Sequence, residues 1–425
     1  VAEELADQPI EGAEELADQP IEGAEELADQ PIEGAEELAD QPIGMVEFAF
    51  TDEQVQLRAA VRRFCGENFD EQTVRTLMES EPRFDPKVWA RLGTELGVLG
   101  LAVPEADGGA GGTLVDQAIA VEELGAVLAC GPVFGTVFLA IPALVAASAS
   151  PVRDKLLGAL AEGTRTAAFA VPDRAGAFDA ALVTVTAGDG TLTGTVERVV
   201  DGDAADVVLV AATGPDGVAL YAVDASDVQR TPLVTLDLTR PQANLEFTHA
   251  PAQLLAGPDE AERVITQALQ VASALLAAEQ VGAAQHLLDL SVAYAKSRLQ
   301  FGRPIGSFQA VKHRLADCLV DLEHARSTAY HAVWALTDGT DDPALAASIA
   351  QATASAALAK VAADTIQVHG GIGFTWEHQA HLYLKRATTD AALLGSAEAH
   401  RSRVAELVLD GAEADRVPHI ATGTS

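Results

Sequence analysis

A double change of hydrophobic period constrains this chain more than any other feature. From Thr51 to Ala161 apolar residues recur at helical spacing, as in Val55, Leu57, Val61 and Phe64. Thr51 suits the N-cap of that first helix, and acids fill its first turn. Further helices are predicted over Asp85–Leu96, Thr113–Leu128, Gly135–Ala147 and Val152–Ala161. At Thr166 the pattern switches to short runs rich in Val and Thr, separated by Gly, Asp and Pro. These are Ala167–Val171, Ala181–Thr186, Thr191–Val200, Asp206–Ala211, Val218–Val223 and Asn244–Phe247, a strand signature. From Asp259 the helical period returns through Ala261–Arg298, Phe308–Leu336, Asp342–His369 and Glu377–Asp410. The fold class is therefore α+β. A helical domain (45–164) precedes a small central β-sheet or barrel domain (165–257) and a C-terminal four-helix bundle (258–411), with a tail over 412–425.

Residues 1–44 stand apart as four near-identical 11-residue units, with four acids in each of the first three and three in the last. A proline recurs in every unit (Pro9, Pro20, Pro31, Pro42) and breaks a helix once per period. The segment reads as a disordered acidic tail, and Met45 as the start of the folded part. Deleting residues 1–44 is expected to leave the melting temperature unchanged, because so little apolar surface cannot offset the entropy of ordering. A drop of several degrees on truncation would show that the repeats dock. Net charge is −36, which argues against nucleic acid and anionic membrane surfaces as partners. Cys65, Cys130 and Cys318 are odd in number and widely spaced, which points to neither disulfide framework nor zinc site. The apolar run Val137–Ala147 is too short to span a bilayer, no signal segment is visible, and the chain is expected in the cytoplasm.

Two segments carry chemistry. Arg298-Leu-Gln-Phe-Gly-Arg-Pro304 ends the long helix, and Gln367-Val-His-Gly-Gly371 follows later. A guanidinium pairs with phosphate as a planar fork, and glycines let backbone approach a ligand closely. Alone, Arg298 reads equally as a helix C-terminal cation and Gly302 as a C-cap. The loop Val103–Gly112 is glycine-rich but lacks the Lys-Ser/Thr pair of a P-loop. His313, His369 and His378 are too scattered for a metal site, so no metal is expected. Lys385-Arg386 near Asp390 reads as a surface or intersubunit ion pair.

In this order and spacing the segments resemble the acyl-CoA dehydrogenase family of flavoproteins, from about Phe50 to about Leu407. The resemblance implies the family's helix–β–helix architecture, FAD as cofactor, an acyl-CoA thioester as substrate and an electron-transfer acceptor. It also implies a flavin shared between subunits, one holding the isoalloxazine and the catalytic base, a neighbour closing over the pyrophosphate and adenosine. By resemblance Arg298 grips the pyrophosphate, Gln300, Phe301 and Gln309 line the same region, and Gln367, Gly370 and Gly371 contact the ribose-adenine end.

The other half of the family's site is altered. Its flavin-facing strand, usually Gly-x-Lys-x-Trp-Ile-Thr/Ser-Asn, reads Gly194-Thr-Val-Glu-Arg-Val-Val-Asp201 here. Arg198 replaces the aromatic and Val200 the hydroxyl. The preceding loop, Val171–Phe178, lacks most of the family's polar handles, and Leu393-Leu-Gly-Ser396 stands where the base glutamate is often found. The catalytic base is therefore unassigned. The nearest acid to an alternative base position is Glu279, which aligns about two turns, roughly 10 Å, further along its helix and reads as structural. The losses fall in one half-site and the retained motifs in the other. This implies a companion subunit of a heterotetrameric acyl-CoA dehydrogenase, similar to the α2β2 enzymes of actinobacterial steroid side-chain degradation, within lipid or steroid catabolism. Two other readings stand beside it: a self-sufficient homotetramer using Glu279 as base, and a flavin-free structural or binding member of the family.

Overall fold

The computed structural model of the chain describes residues 50–339 and 341–414, so the acidic repeats and most of the C-terminal tail lie outside the described residues. Helix α1 (Asp52–Asn68) opens on the expected cap: the Thr51 hydroxyl accepts the Gln54 N–H, and the Gln54 side chain accepts the Thr51 N–H. A short α2 (Glu71–Leu77), capped by Asp70, was not legible from periodicity. It is followed by α3 (Pro86–Thr94) and α4 (Leu114–Ala126). A π-helical stretch, Phe134–Ala140, runs into α5 (Ile141–Ala146), and α6 is Pro151–Ala161. The glycine-rich loop is shaped by its own packing: a Cβ on Gly109 would sit 2.2 Å from the Val103 carbonyl oxygen.

The β domain contains β1 (Ala167–Ala170), β2 (Asp173–Arg174), β3 (Ala177–Phe178), β4 (Thr186–Gly188), β5 (Thr191–Val200) and β6 (Val207–Gly214). It continues with β7 (Gly217–Asp224), β8 (Gln229–Pro232), β9 (Gln242–Pro251) and β10 (Gln253–Ala256). The main sheet runs β10-β7-β6-β4-β5-β9-β8, with β1 pairing parallel to β6. Its inward face packs Val185, Leu192, Val208, Val210, Leu245 and Phe247 into one apolar cluster. The strand expected over Ala181–Thr186 is displaced. The Asp179 carboxylate accepts the Ala181 N–H at 3.1 Å and holds a 3-10 turn at Ala180–Leu182, so pairing begins only at Thr186. Strand β8, with Pro232 at its end, is an edge strand and gave no clear alternation.

Beyond the sheet lie α7 (Pro258–Ser297), α8 (Gln309–Asp338), α9 (Pro343–His369), α10 (Ala380–Asp390) and α11 (Ala397–Ala414). The helix expected from Glu377 to Asp410 is two helices. Between them Leu394 and Gly395 take positive φ of 55° and 100°, which no helix continues through. Helices α7 and α9 run parallel, because Gln280 bonds Ser355 and Ser291 bonds Thr365, the register rising together along both. Helix α4 crosses α7 almost backbone to backbone. A Cβ on Gly282 would lie 1.8 Å from the Glu122 carbonyl oxygen, and one on Gly125 would lie 2.3 Å from that of Glu279. Two segments, Pro258–Ser297 and Pro343–Phe374, are long and apolar enough to cross a bilayer, yet 83% and 61% of their most apolar windows are buried inside the fold.

Candidate functional site

Parallel packing of α7 and α9 puts their C-terminal ends side by side. The Tyr294 ring stacks on that of His369 at 4.4 Å. The segments that begin at Arg298 and at Gly370 therefore start from one end of the bundle. After Arg298 the chain makes a hairpin of β11 (Leu299–Gln300) and β12 (Arg303–Pro304). Both turn residues have positive φ, 51° at Phe301 and 74° at Gly302, as a two-residue hairpin turn of type I′ requires. Gly302 accepts this freely, whereas a bulky residue such as Phe301 is strained there. Phe301 is nonetheless 91% exposed and touches Phe308 only edge-on. At the end of α9, Gly370 has φ 63° and ψ −139°, a combination close to the glycine-only region. A Cβ at Gly370 or Gly371 would meet nothing within 4 Å, so packing within this chain leaves open space at both.

Arg298, Gln300, Phe301, Gln309, Gln367, Gly370 and Gly371 are all exposed. Among the described residues the Arg298 guanidinium takes part in no ion pair. Around them Leu299, Ile372, Phe374 and Trp376 are also largely exposed. An apolar surface of this kind beside a free cation marks an interaction surface. Donors, a cation and open glycine backbone at one bundle end suit a pyrophosphate with its adenosine.

A second concavity lies at the other end of α7. A bulge in β5 between Val196 and Val199 puts Arg198 at φ 57°, its N–H donating to the Asn244 side-chain oxygen at 2.9 Å. Arg198 lines an open cleft of about 830 Å³ together with Asp173, Glu197, Leu236, Leu393 and Leu394. Behind it Phe134, Phe169, Val200 and Leu269 enclose only about 120 Å³. The cleft in front has the ~300–1,000 Å³ of a typical cofactor pocket, so its lining and not its size decides what it takes. Leu394, which the family resemblance aligns with the usual base position, lines the cleft. The carboxylates present are Asp173 and Glu197, which motif reading missed. Burial raises the Asp173 carboxyl above its usual range, opposed by a hydrogen bond from the Gly176 N–H. The cleft thus offers a flavin ring neither aromatic packing from Arg198 nor a hydroxyl from Val200. The bundle end fits the pyrophosphate–adenosine half, and the cleft does not fit the ring half. Leu269 and Arg298 belong to one continuous helical run, and a rise of ~1.5 Å per residue sets them roughly 40 Å apart. One dinucleotide does not span both on the same chain.

Glu279 lies in neither place. It is 6% exposed and sits at the centre of a buried ion network. Arg240 Nη2 donates to both its oxygens at 2.6 Å, and Arg386 Nη1 donates to Oε1 at 2.6 Å. Arg386 also donates to Asp237 through Nε and to the Thr239 hydroxyl through Nη2, while Arg240 Nη1 donates to Asp390 at 2.7 Å. Arg386 is 2% exposed, so the expected surface or intersubunit pair at Lys385-Arg386 is instead an internal one. Lys385 lies over the Trp376 ring. Burial pushes Asp237 up, but Arg386 and Thr239 outweigh it and hold the carboxyl below its ordinary range. For Asp390 burial wins over Arg240 and pushes the carboxyl up to about 7, with Oδ2 buried and unpartnered among the described residues. Motif reading missed Asp237 and Arg240 because the bonds join residues far apart in sequence.

Comparison with known proteins agrees with this fold. Residues 51–164 match the family "Acyl-CoA dehydrogenase, N-terminal domain", and residues 262–409 match "Acyl-CoA dehydrogenase, C-terminal domain". The chain is 38% identical over 346 residues to acyl-CoA dehydrogenase IpdE2 of Mycobacterium tuberculosis, covering 81% of this chain and 94% of that protein. It is 36% identical to IpdE2 of Mycolicibacterium smegmatis, covering 81% and 95%. Among solved structures it resembles the ChsE4–ChsE5 complex from Mycobacterium tuberculosis, with a TM-score of 0.77 and 30% identity over 86% of this chain and 99% of that one. A steroid ACAD, Tcur3481–Tcur3483, gives a TM-score of 0.77 and 32% identity over 85% and 99%.

Proposed function

The chain belongs to the acyl-CoA dehydrogenase family of FAD-dependent oxidoreductases, and from that premise we propose that it acts in the cytoplasm as the companion subunit of a heterotetramer. Its partner is a homologous chain that supplies the flavin-facing strand and the base. The carrying observation is the inequality of the two half-sites: an exposed Arg298 beside open glycine backbone at the bundle end, against a cleft that presents Arg198, Val200 and Leu394. Similarity to a steroid ACAD supports a bulky, steroid-type acyl-CoA as substrate, and similarity to the ChsE4–ChsE5 complex supports pairing with a second chain. An electron-transfer acceptor reoxidises the enzyme.

FAD supplies the acceptor for the β-hydride when bound, while the partner's carboxylate removes the α-proton. In this reading the bundle end of the present chain binds and orients. The Arg298 fork pairs with the pyrophosphate oxygens. Gly370 and Gly371 let the backbone approach the ribose-adenine, and Gln300, Gln309 and Gln367 supply amide donors and acceptors there. The exposed Phe301, Phe374 and Trp376 cover the cofactor from solvent by packing against the partner. Glu279 holds two arginines with both its oxygens, which supports a structural role over that of a base.

Expressed alone, the chain is expected to purify with little flavin. Coexpressed with its partner, it is expected to form a four-chain assembly carrying about two flavins, read from the absorption spectrum against protein mass. Four flavins per four chains, or a homotetramer with one per chain, would overturn the companion reading. No flavin in any assembly would leave the flavin-free reading.

A further inference from the structure

We propose that Tyr294, His369 and His378 form a ring clamp that positions the Arg298 and Gly370–Gly371 segments for FAD, and that this clamp makes cofactor retention sensitive to acid. The proposal rests on the reading that this bundle end binds the pyrophosphate and adenosine. The three rings stand in one column. Tyr294 lies 4.4 Å from His369, and His369 lies 4.4 Å from His378. Each belongs to a different segment of the site. Tyr294 is one turn before Arg298, His369 immediately precedes Gly370, and His378 closes the loop that leads from Gly371 into α10. The loop's 3-10 turn, Gly370–Phe374, is short, and the column ties its far end back to α7 and α9 beside the His286–Gln379 bond.

Hydrogen bonding sets the tautomer of each neutral imidazole, although at His369 the bond to Thr365 by itself favours the protonated ring and only burial outweighs it. His369 Nδ1 donates to the Thr365 carbonyl at 2.8 Å, which leaves Nε2 as the unprotonated nitrogen. That Nε2 is buried and without a partner among the described residues, in a side chain only 4% exposed. His378 Nδ1 accepts the N–H of Ala380, the first residue of α10, at 3.2 Å. A proton on that nitrogen removes the bond that starts the helix, and a proton on His369 Nε2 buries an unpaired charged donor.

The surroundings give little to offset either charge. Glu71 and Arg75 of α2 face His378 but are paired with each other at 2.8 Å. His286 of α7 is bonded to Gln379, and His381 and Lys385 of α10 are engaged with Trp376. Glu377 of the loop is exposed. Burial lowers both imidazoles below their ordinary 6.5. For His378, the neighbouring His369 and Arg75 add to this, and Glu71 opposes it. A lowered histidine value means the clamped state binds fewer protons than the open one. The clamp is therefore fully present above 6.5 and is lost as pH falls below it.

The test is the dissociation constant of FAD, followed by flavin fluorescence on the assembled complex between pH 7.5 and 5.5. For the wild-type complex affinity is expected to hold near pH 7.5 and to fall about tenfold by pH 5.5, the limit per histidine being a factor of ~10 per pH unit. The double variant His369→Phe/His378→Phe keeps three stacked rings but gives up the Ala380 and Thr365 bonds at every pH, so its affinity at pH 7.5 is expected below wild type, with the acid slope abolished. His369→Ala, which opens the column, is expected to weaken binding about tenfold at pH 7.5. Amide exchange across residues 370–378 of the unmutated complex reads the same event without substitution, with protection lost on acidification. A flat wild-type profile, or an unchanged slope in the double phenylalanine variant, overturns the clamp. If Arg298→Ala leaves the affinity untouched in the same assay, the flavin reading of this bundle end fails and the clamp with it. If Arg298→Ala strips flavin while the slope survives the double variant, only the clamp fails.

Discussion

Arg298→Ala in the assembled complex is expected to strip most of the flavin. In the single chain Arg298 is exposed at the end of α7, where the helix stops and its side chain is free to reach outward. Once a partner covers this end, the guanidinium and the pyrophosphate it holds are withdrawn from water. Removing the fork then leaves phosphate charge uncompensated in a partly dry site. Truncating one partner of such a charge pair costs on the order of 2–5 kcal/mol. That corresponds to roughly 30-fold to several-thousand-fold in affinity. In the proposed heterotetramer the matching arginine of the partner chain faces the Arg198 cleft, so its replacement is expected to change flavin content little. The measurement is flavin per assembly after gel filtration of each variant. Equal losses from the two arginines would show that both half-site pairs hold flavin.

Breaking the buried network is expected to act on stability and not on chemistry. Arg386→Met removes the donor shared by Asp237, Glu279 and Thr239, all of them buried. It leaves Asp237 without its main cation and Glu279 with Arg240 alone. Breaking a buried pair from one side typically costs about 3–5 kcal/mol. The fall is expected in the unfolding midpoint, with flavin per surviving assembly unchanged. Glu279→Gln is milder, because the network holds more carboxylates than arginines and the amide oxygen still accepts one hydrogen bond. Turnover of the assembled enzyme is expected to stay within a few-fold of wild type, whereas loss of a general base costs about 10²–10⁴-fold. A loss of that size, with assembly and flavin intact, would assign the base to Glu279 and restore the self-sufficient reading.

Much of the architecture was legible because it is written in local periods. The helix starts at Thr51 and Thr113 follow from side chains that reach backbone N–H groups three residues away. Errors arose where a local polar contact beat the pattern, as Asp179 did at Ala180–Leu182. Another arose where a backbone break at Leu394–Gly395 lay inside an otherwise helical run. The short edge strand β8 was missed for want of alternation.

The division at the site follows the same physics. Arg298 at a helix end, a positive-φ turn at Phe301-Gly302 and the glycine pair at 370–371 impose demands within a few residues, so the sequence alone located these helix ends and turns. Tertiary structure decided what those segments stand beside. Parallel α7 and α9 bring Tyr294 to His369, and the approach of the β8–β9 connection to α7 and α10 joins Asp237, Arg240, Glu279 and Arg386. Charges separated by more than a hundred residues, such as Glu279 and Arg386, carry no mark of their partners in the sequence. Coulomb attraction depends on distance in space, and only the packed helices set that distance.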